Sequence, residues 1–261
     1  MRSMYMPILE KTIENLPVFV FADRADMGRA AAENAARIIG DAIAQRGVAN
    51  VIFAAAPSQG DLLASLLTQN VDWTKVRAFY QDEYIGLDPA HPAGFGNFLR
   101  RHFFDKAALK EIYWLQCKPE QAEEKCGEYV ALLRQFPPDL IFLGVGENGH
   151  LAFNDPAVAD FDDPVRMKIV ELDDISRNQQ VNDGCFAALD EVPKKALTLT
   201  MSQILAVPNA IAVVPTALKA TAVKNALLGP IATSCPASVL RRHPGAVLYL
   251  DKASAQKAFP L

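Results

Sequence analysis

Short apolar runs alternate with longer amphipathic or alanine-rich stretches along most of the chain. The apolar runs are rich in Val, Ile, Leu and Phe and are too short for typical helices, so they predict buried strands. Strands are predicted at residues 18–21, 51–55, 76–80, 112–115, 140–145, 166–172, 193–200, 211–215 and 246–250. Helices are predicted at residues 27–45, 61–67, 97–104, 119–136, 216–228 and 234–240. This alternation predicts an α/β fold.

The ends of the first helix carry clear signals. Asp23 or Asp26 is placed to cap its start through a side-chain oxygen, and Gly47 is placed to end it. No internal repeat, low-complexity tract or linker separates the predicted elements. Residues 1–261 are therefore predicted to form a single domain.

Composition narrows the classes of function. The 261 residues carry a net charge of −4, from 30 acidic and 26 basic residues without a basic block. Nucleic acid and anionic membrane surfaces are therefore not expected as partners. Four scattered cysteines without a C-x-x-C spacing indicate free thiols in a reducing cytoplasm, and no metal site is expected. The sequence shows no run of membrane-span length and no apolar leader, which predicts a soluble, cytoplasmic protein.

The strand predicted at residues 140–145 leads into a turn with candidate chemistry. Gly144, Gly146 and Gly149 permit a sharp turn at the carboxyl end of this strand, where open α/β sheets bind their ligands. The turn carries His150, with Asn148 before it and Asp155 after it. An imidazole beside a carboxylate indicates an acid–base site. The alternative is that the glycines form the turn and His150 only packs against it.

The same three glycines match G-x-G-x-x-G, the fingerprint of dinucleotide binding. That fingerprint requires a helix that begins at the third glycine. Here Pro156 follows within seven residues, after the turn-prone pair Asn154 and Asp155. Nicotinamide binding is therefore a minor alternative.

Two further segments predict a site for an anion. Ser58 and Gln59 lie between a predicted strand and a helix, where free backbone N–H groups favour phosphate. An ordinary capped turn would give the same pattern. Lys219 lies in the first turn of another predicted helix, where the helix dipole disfavours a cation unless an anion lies nearby. A surface lysine is the alternative there.

Adjacent carboxylates, Asp82 and Glu83, follow the strand at residues 76–80. Because side chains alternate along an extended chain, the two are expected to point in opposite directions. Burial of an unpaired carboxylate is costly, so one of them is expected to have a functional role. A solvated pair of loop acids is the alternative. The polar stretch at about residues 157–190 is predicted to be a mobile flap over the site.

These motifs, taken together, resemble the glucosamine-6-phosphate deaminase (isomerase) family, which is related to the 6-phosphogluconolactonases. The resemblance rests on the D-E-Y-I-G-L block at residues 82–87, the G-V-G-E-N-G-H-L-A-F-N block at residues 144–154, and Lys219. It implies a Rossmann-like three-layer αβα sandwich with a mainly parallel sheet. It also implies isomerisation of an amino-sugar 6-phosphate with release of ammonia, no cofactor, and a homo-oligomer.

The resemblance also assigns roles to individual residues. Asp82 matches the base that removes the proton from C2, and His150 matches the imidazole that assists ring opening. Asn148 and Asp155 complete the expected catalytic group. Lys219, Ser58, Gln59 and Arg177 are the expected phosphate ligands, while Glu83, Gly146 and Gly149 belong to the expected substrate loop.

The chain departs from the family pattern at several of these positions. Asn148 stands where the family usually has an aspartate, and it supplies no charge to an imidazolium. Asp155 is one methylene shorter than the usual glutamate. A phosphate-binding arginine is expected near Gln180, with Arg177 as its substitute. These departures keep a 6-phosphogluconolactonase-like hydrolase and a non-catalytic sugar-phosphate sensor as alternatives.

Overall fold

The computed structural model describes residues 5–260, which form strands, helices and short 3₁₀ turns. The strands are β1 (Leu9–Ile13), β2 (Leu16–Phe21), β3 (Ala49–Phe53), β4 (Val76–Tyr80), β5 (Asp82–Tyr84), β6 (Glu111–Ile112), β7 (Leu140–Leu143), β8 (Met167–Glu171), β9 (Lys195–Leu199), β10 (Ala210–Val214) and β11 (Ala246–Asp251). The helices are α1 (Arg24–Arg46), α2 (Gly60–Leu66), α3 (Phe95–Leu99), α4 (Ala122–Gln135), α5 (Asp174–Asn182), α6 (Met201–Leu205), α7 (Ala220–Leu228) and α8 (Lys252–Ala255).

The main sheet has the strand order β1-β2-β11-β10-β7-β3-β4-β6. All neighbouring strands in it run parallel except β1, which pairs antiparallel with β2 at the edge. Every residue of β3, β7 and β10 is buried, as expected for strands covered on both faces. The predicted α/β class with a mainly parallel sheet is confirmed.

The order of the strands reverses between β3 and β7. From β3 the chain continues outward through β4 and β6, whereas from β7 it continues in the opposite direction through β10 and β11. The loops that leave β3 and β7 therefore diverge and open a crevice at the carboxyl edge of the sheet. This crevice is where the sequence placed the glycine-rich turn and the Ser58 loop.

A second, smaller sheet carries the two adjacent carboxylates. It has the order β5-β9-β8 and is antiparallel throughout. β4 ends at Tyr80, and Asp82 begins β5, where it pairs with Thr198 of β9. The chain thus passes from one sheet to the other at Gln81, whose side-chain amide donates to the carbonyl of Phe142 in β7. This contact ties the crossing point to the centre of the main sheet.

The first helix follows its sequence signals. The side chain of Asp23 accepts from the N–H of Asp26, and Gly47, at a φ of 76°, donates to the carbonyl of Ile43. A positive φ is the left-handed conformation that glycine adopts without strain. The buried face of α1 is rich in alanine and packs on β2, β3, β10 and β11.

Three predicted elements differ in the structure. The strand at residues 112–115 shrinks to β6, because the N–H of Leu115 donates to the side chain of Tyr80 instead of a neighbouring strand. The helix at residues 97–104 consists of α3 and a π-helical turn at Arg100–Phe104. The short helix at residues 234–240 is a 3₁₀ helix, Pro236–Arg242.

The polar stretch at about residues 157–190 contains defined structure. It includes β8, α5 and the start of a 3₁₀ turn at Leu189–Glu191. The side chain of Asp173 caps α5 by accepting from the N–H of Ser176. The mobility of this stretch stays a prediction, as does the single domain. No helix within residues 5–260 is long and apolar enough to cross a membrane.

Candidate active site

A cavity of ≈ 210 Å³ lies at the crevice, beside the ends of β3, β4, β7 and β10. Its walls come from the loops after β3, β7 and β10, from the chain between β4 and β5, from α5, and from the first residues of α1 and α3. The polar or charged side chains that line it are Arg24, Ser58, Gln81, Asp82, His150, Gln179, Gln180, Asp183, Thr216 and Lys219. Asp82, His150, Ser58 and Lys219, which the sequence placed far apart, therefore share one cavity.

The glycine-rich turn is built around the His150 ring. The N–H of Gly146 donates to the carbonyl of His150, and the N–H of Gly149 donates to the carbonyl of Gly146, each at 3.0 Å. A side chain on Gly146 would place its Cβ 2.2–2.4 Å from three atoms of the imidazole. Gly149 has a φ of 87°, and its Cβ would lie 2.6 Å from Sγ of Cys235. Both positions require glycine because other groups approach the backbone closely.

Three polar side chains lie within hydrogen-bond distance of one carboxylate oxygen, Oδ1 of Asp155. Nδ1 of His150 lies 2.9 Å from Oδ1 of Asp155, and Nδ2 of Asn148 donates to the same oxygen at 2.9 Å. The hydroxyl of Ser176, on α5, also donates to it. Oδ1 of Asn148 accepts from the N–H of His150 at 3.0 Å. The structure thus groups Asn148, His150 and Asp155 as expected and adds Ser176, which the sequence analysis missed.

Asp155 is held in its ionised form. Burial is the largest single influence on its pKa and raises it, but hydrogen bonds from His150, Asn148 and Ser176 together outweigh burial and lower the pKa. The shorter side chain at this position therefore still reaches His150. Asn148 supplies a hydrogen bond to the carboxylate where the family pattern has a negative charge.

Asp82 shows the opposite behaviour. Only 8% of the residue is exposed, and no hydrogen bond to its carboxyl group is found within residues 5–260. Burial, followed by the charge of Glu83, raises its pKa well above the ordinary value of 3.8. A carboxyl group that lines a cavity and has a raised pKa is suited to exchange protons with a ligand.

Glu83 points away from this cavity, as the alternation of side chains predicted. Its carboxylate accepts from the N–H groups of Phe95 and Gly96 at 3.0 and 2.9 Å. These contacts fix the start of α3 and position Phe95, which lines the cavity. Glu83 acts on the site through the backbone of this loop.

The loop after β3 places Ser58 at the cavity and Gln59 beneath it. Gln59 is fully buried, and its side-chain amide donates to the Ser58 hydroxyl and to the carbonyl of Val213 in β10. It therefore holds the Ser58 loop against the neighbouring strand and does not line the cavity. Its Oε1 has no hydrogen-bond partner among residues 5–260.

Lys219 is the feature that most directly indicates an anion. It is 6% exposed, lines the cavity, and its Nζ has no hydrogen-bond partner within the described chain. Burial lowers its pKa, and the charges of Asp183 and Glu147 partly oppose this effect. An ammonium group buried without a partner is unfavourable, so an anion in the cavity would complete its environment.

Arg177 lies outside the lining of the cavity. Its guanidinium donates to the carbonyls of Leu189 and Val192 and pairs with Asp174, so its hydrogen bonds are directed to α5 and the turn after it. The structure instead brings Arg24 to the cavity, from the first turn of α1. Arg24 pairs with Asp61 of α2 and reaches the carbonyl of Pro57. Neither motif nor spacing pointed to Arg24, because its proximity to Ser58 arises from tertiary packing.

The turn that carries Lys219 is strained. Thr216 has a φ of 82°, a conformation that costs a residue with a Cβ about 1–3 kcal/mol. Both carboxylate oxygens of Asp251 accept from the N–H of Thr216 at 3.1 Å and hold this conformation. Thr216 in this conformation directly precedes the 3₁₀ turn Ala217–Lys219 that follows β10.

Residues 144–165 contain no helix, and the next helix after β7 is α5. The helix that the dinucleotide fingerprint requires at Gly149 is therefore absent, so the three glycines do not form that fingerprint. In the described part of the chain, no group of three or more His, Cys, Asp or Glu residues is arranged to hold a metal ion.

Fold and site define an α/β protein in which carboxyl groups, an imidazole and a buried lysine share one cavity at a topological switch point. Comparisons with known proteins identify the family. The sequence profile described as Glucosamine-6-phosphate isomerases/6-phosphogluconolactonase matches residues 22–165. The chain therefore belongs to the glucosamine-6-phosphate isomerase/6-phosphogluconolactonase family.

Individual relatives agree with this assignment. Glucosamine-6-phosphate deaminase of Exiguobacterium sibiricum is 35% identical over 185 residues, 71% of this chain and 71% of that protein. The enzyme of the same name from Lactobacillus delbrueckii subsp. bulgaricus is 28% identical over 240 residues, 92% of this chain and 98% of that protein.

Solved structures show the same fold. A monomeric glucosamine-6-phosphate deaminase superposes with a TM-score of 0.83 at 25% identity, covering 92% of this chain and 99% of that one. A 6-phosphogluconolactonase from Shewanella baltica has a TM-score of 0.75 at 18% identity, with 92% and 100% coverage. The second likeness is one of fold alone.

Proposed function

We propose that this protein converts glucosamine 6-phosphate, or a close relative, to the ketose 6-phosphate and ammonia. The observation that carries the proposal is the buried Asp82 carboxyl group, which lines one cavity with His150 and the unpaired Lys219. The relatives named above, described as glucosamine-6-phosphate deaminases, support the same reaction.

The groups in the cavity match the steps of this reaction. His150 exchanges the proton that opens the sugar ring. Asp82 then removes the proton from C2 and delivers it to C1, while the C1 carbonyl oxygen gains a proton and the 2-amino nitrogen loses one, so that C1 becomes a hydroxymethyl group and C2 an imine carbon. Water adds to this imine, and ammonia leaves as the C2 carbonyl forms. Substrate and one water thus give ketose phosphate and ammonia.

Lys219, Arg24 and the Ser58 hydroxyl are the proposed phosphate ligands. Two cations in different elements, Lys219 after β10 and Arg24 in α1, line the cavity with Ser58. Charge-assisted hydrogen bonds to phosphate are among the stronger polar contacts in proteins. In this arrangement Arg24 takes the role that the sequence had assigned to Arg177.

A cytoplasmic location, a homo-oligomer and closure of the segment at about residues 157–190 also stay proposals. The position of α5 supports closure of this segment over the cavity. Gln179 and Gln180 of α5, and Asp183 directly after it, line the cavity. Light scattering coupled to size-exclusion chromatography would measure the oligomeric state. The solved relative named above is monomeric.

Ammonia release from glucosamine 6-phosphate tests the proposed reaction. Galactosamine 6-phosphate and 6-phosphogluconolactone would be assayed in parallel, so that the substrate class is measured directly. Ammonia release with formation of the ketose phosphate supports the proposal. Lactone hydrolysis without ammonia release from either amino sugar would contradict it, and so would thermal stabilisation by a sugar phosphate without turnover.

Replacement of Arg24 by glutamine tests the phosphate assignment. A lost charge-assisted hydrogen bond costs about 1.5–3 kcal/mol, so KM is expected to rise about 10- to 100-fold while kcat changes little. Arg29→Gln is the matched control, since each arginine side chain is 42% exposed and paired with an aspartate, but Arg29 does not line the cavity. Equal KM values in the two variants would exclude Arg24 as a ligand.

A further inference from the structure

We propose that Ser176 is a positioning residue that fixes the orientation and the protonated nitrogen of the His150 ring through Asp155. The inference rests on the proposed function for its catalytic consequence, because His150 is the group that exchanges the ring-opening proton. Its structural part concerns the resting protein and is testable without turnover.

The Ser176 side chain reaches His150 from a different part of the chain. Ser176 is 1% exposed and lies in α5, whereas His150 and Asp155 lie in the loop after β7. Its Oγ is 3.1 Å from Nδ1 of His150, and its hydroxyl donates to Oδ1 of Asp155. Ser176, His150 and Asp155 therefore form a closed triangle of polar contacts.

The protons available in this triangle determine which nitrogen of neutral His150 carries the hydrogen. Ser176 has one hydroxyl proton, and it is used in the bond to Asp155. Both neighbours of Nδ1, the carboxylate and the serine oxygen, are then acceptors. Nδ1 must therefore be the protonated nitrogen, which leaves the lone pair of Nε2 free. Proton exchange with a ligand then takes place at Nε2.

The Ser176 hydroxyl also stabilises the charge of Asp155. Oδ1 of Asp155 accepts from Asn148, His150 and Ser176, while Oδ2 is buried without a partner in the described chain. His150 is the titratable group that faces this carboxylate. Without the hydroxyl, Asp155 loses one of three donors, so its charge is less well stabilised, and the His150 ring loses one of the two side-chain contacts at Nδ1 that fix its orientation.

The role of the hydroxyl is separable from the stability of α5. The N–H of Ser176, not its side chain, satisfies the Asp173 cap at 2.7 Å. Alanine at this position keeps that N–H and favours helix formation. Ser176→Ala is therefore expected to retain α5 while removing only the contacts to His150 and Asp155.

Nitrogen NMR spectra of the His150 ring and the pH dependence of kcat test the inference. The set comprises the parent, Ser176→Ala, Ser176→Cys and Asn178→Ala, with the His150 signals assigned by their loss in His150→Gln. Asn178 is the matched control, because it is exposed on the same helix and does not line the cavity. Thermal unfolding checks that each variant is folded.

The parent is expected to show a single Nδ1–H form, and Ser176→Ala a mixture of both forms. For Ser176→Ala we expect kcat to fall about tenfold, KM to stay within about twofold, and the acid limb of the kcat profile to move to higher pH. The limb moves upward because loss of a donor raises the pKa of Asp155. Ser176→Cys, which keeps a weak donor, is expected to lie between the two.

A His150 spectrum and a pH profile that are unchanged in Ser176→Ala would overturn the inference. An equal change in Asn178→Ala would also overturn it, because the effect would then come from the helix. If Ser176→Ala does not fold, an unchanged spectrum in Ser176→Cys is decisive against it. If the parent releases no ammonia but the His150 spectrum changes in Ser176→Ala, the positioning role is supported while the proposed function fails.

Discussion

Replacement of Asp82 by asparagine is expected to lower kcat for ammonia release by about 10²–10⁴-fold, the range for loss of a general base. The amide keeps the size of the side chain but cannot take the C2 proton. Substrate affinity is expected to change little, because Lys219, Arg24 and Ser58 at the proposed phosphate site are intact. Steady-state kinetics and the substrate-induced shift in Tm measure the two effects separately.

The same substitution is expected to stabilise the fold at neutral and alkaline pH. Burial raises the pKa of Asp82 above its unfolded value, so the folded protein holds this proton to higher pH. Stability is therefore lost as pH rises through the interval between the unfolded and the folded pKa. Asparagine never ionises, so its advantage in Tm should be absent at low pH and grow as pH rises. An advantage that grows as pH falls would contradict the raised pKa.

Glu83, at the next position, differs from Asp82 in its hydrogen bonds, although burial raises the pKa of its carboxyl group as well. Its carboxylate accepts from the N–H groups of Phe95 and Gly96. Glu83→Gln would turn an N–H₂ group toward one of these donors, and an unsatisfied buried donor costs about 1–3 kcal/mol. Thermal unfolding should thus show a lower Tm for Glu83→Gln, where Asp82→Asn shows a higher one at neutral pH. Equal changes in Tm for the two variants would mean that the backbone hydrogen bonds of Glu83 do not distinguish it from Asp82.

Gly146→Ala is the second change with a large expected effect. Its Cβ would fall 2.2–2.4 Å from the His150 ring, so the imidazole must move. A displacement of a catalytic group by about 1 Å costs roughly 100-fold, and we expect kcat to fall by at least about that factor. The His150 ring signals should shift as well.

Gly127→Ala is the control for this prediction. Gly127 lies in α4, and apart from its chain neighbours and the backbone of its own helix no atom of the described chain lies within 4 Å of the position that a Cβ would take, so alanine should leave kcat unchanged. It should also stabilise the helix by about 0.5–1 kcal/mol. Similar kcat values for Gly146→Ala and Gly127→Ala would show that the close approach to His150 has no catalytic consequence.

The sequence was sufficient to predict features that depend on local chemistry. The apolar runs predicted β3, β7 and β10 because strands covered on both faces need continuous apolar residues. Gly146, Gly149 and His150 were predicted from a strand end and its turn, and the structure explains the glycines by close contacts. The shortness of β6 was missed because it depends on the contact between Leu115 and the distant Tyr80 side chain, and the helical state of α5 was missed although Asp173 provides a local cap.

Which charged and hydroxyl side chains belong to the site could be decided only from the tertiary structure. Arg177 lies close in sequence to the expected arginine position, yet its hydrogen bonds go to carbonyls outside the cavity, while Arg24 reaches the cavity from α1. Ser176 meets His150 only because α5 packs on the loop after β7. By itself the sequence determined the α/β class, the glycine turn and the candidates Asp82, His150 and Lys219, since strand burial and backbone turns follow from neighbouring residues. Only the tertiary structure decided which charged and hydroxyl groups meet in the cavity, because charges and hydroxyl groups act over a few ångströms between segments that the chain separates by many residues.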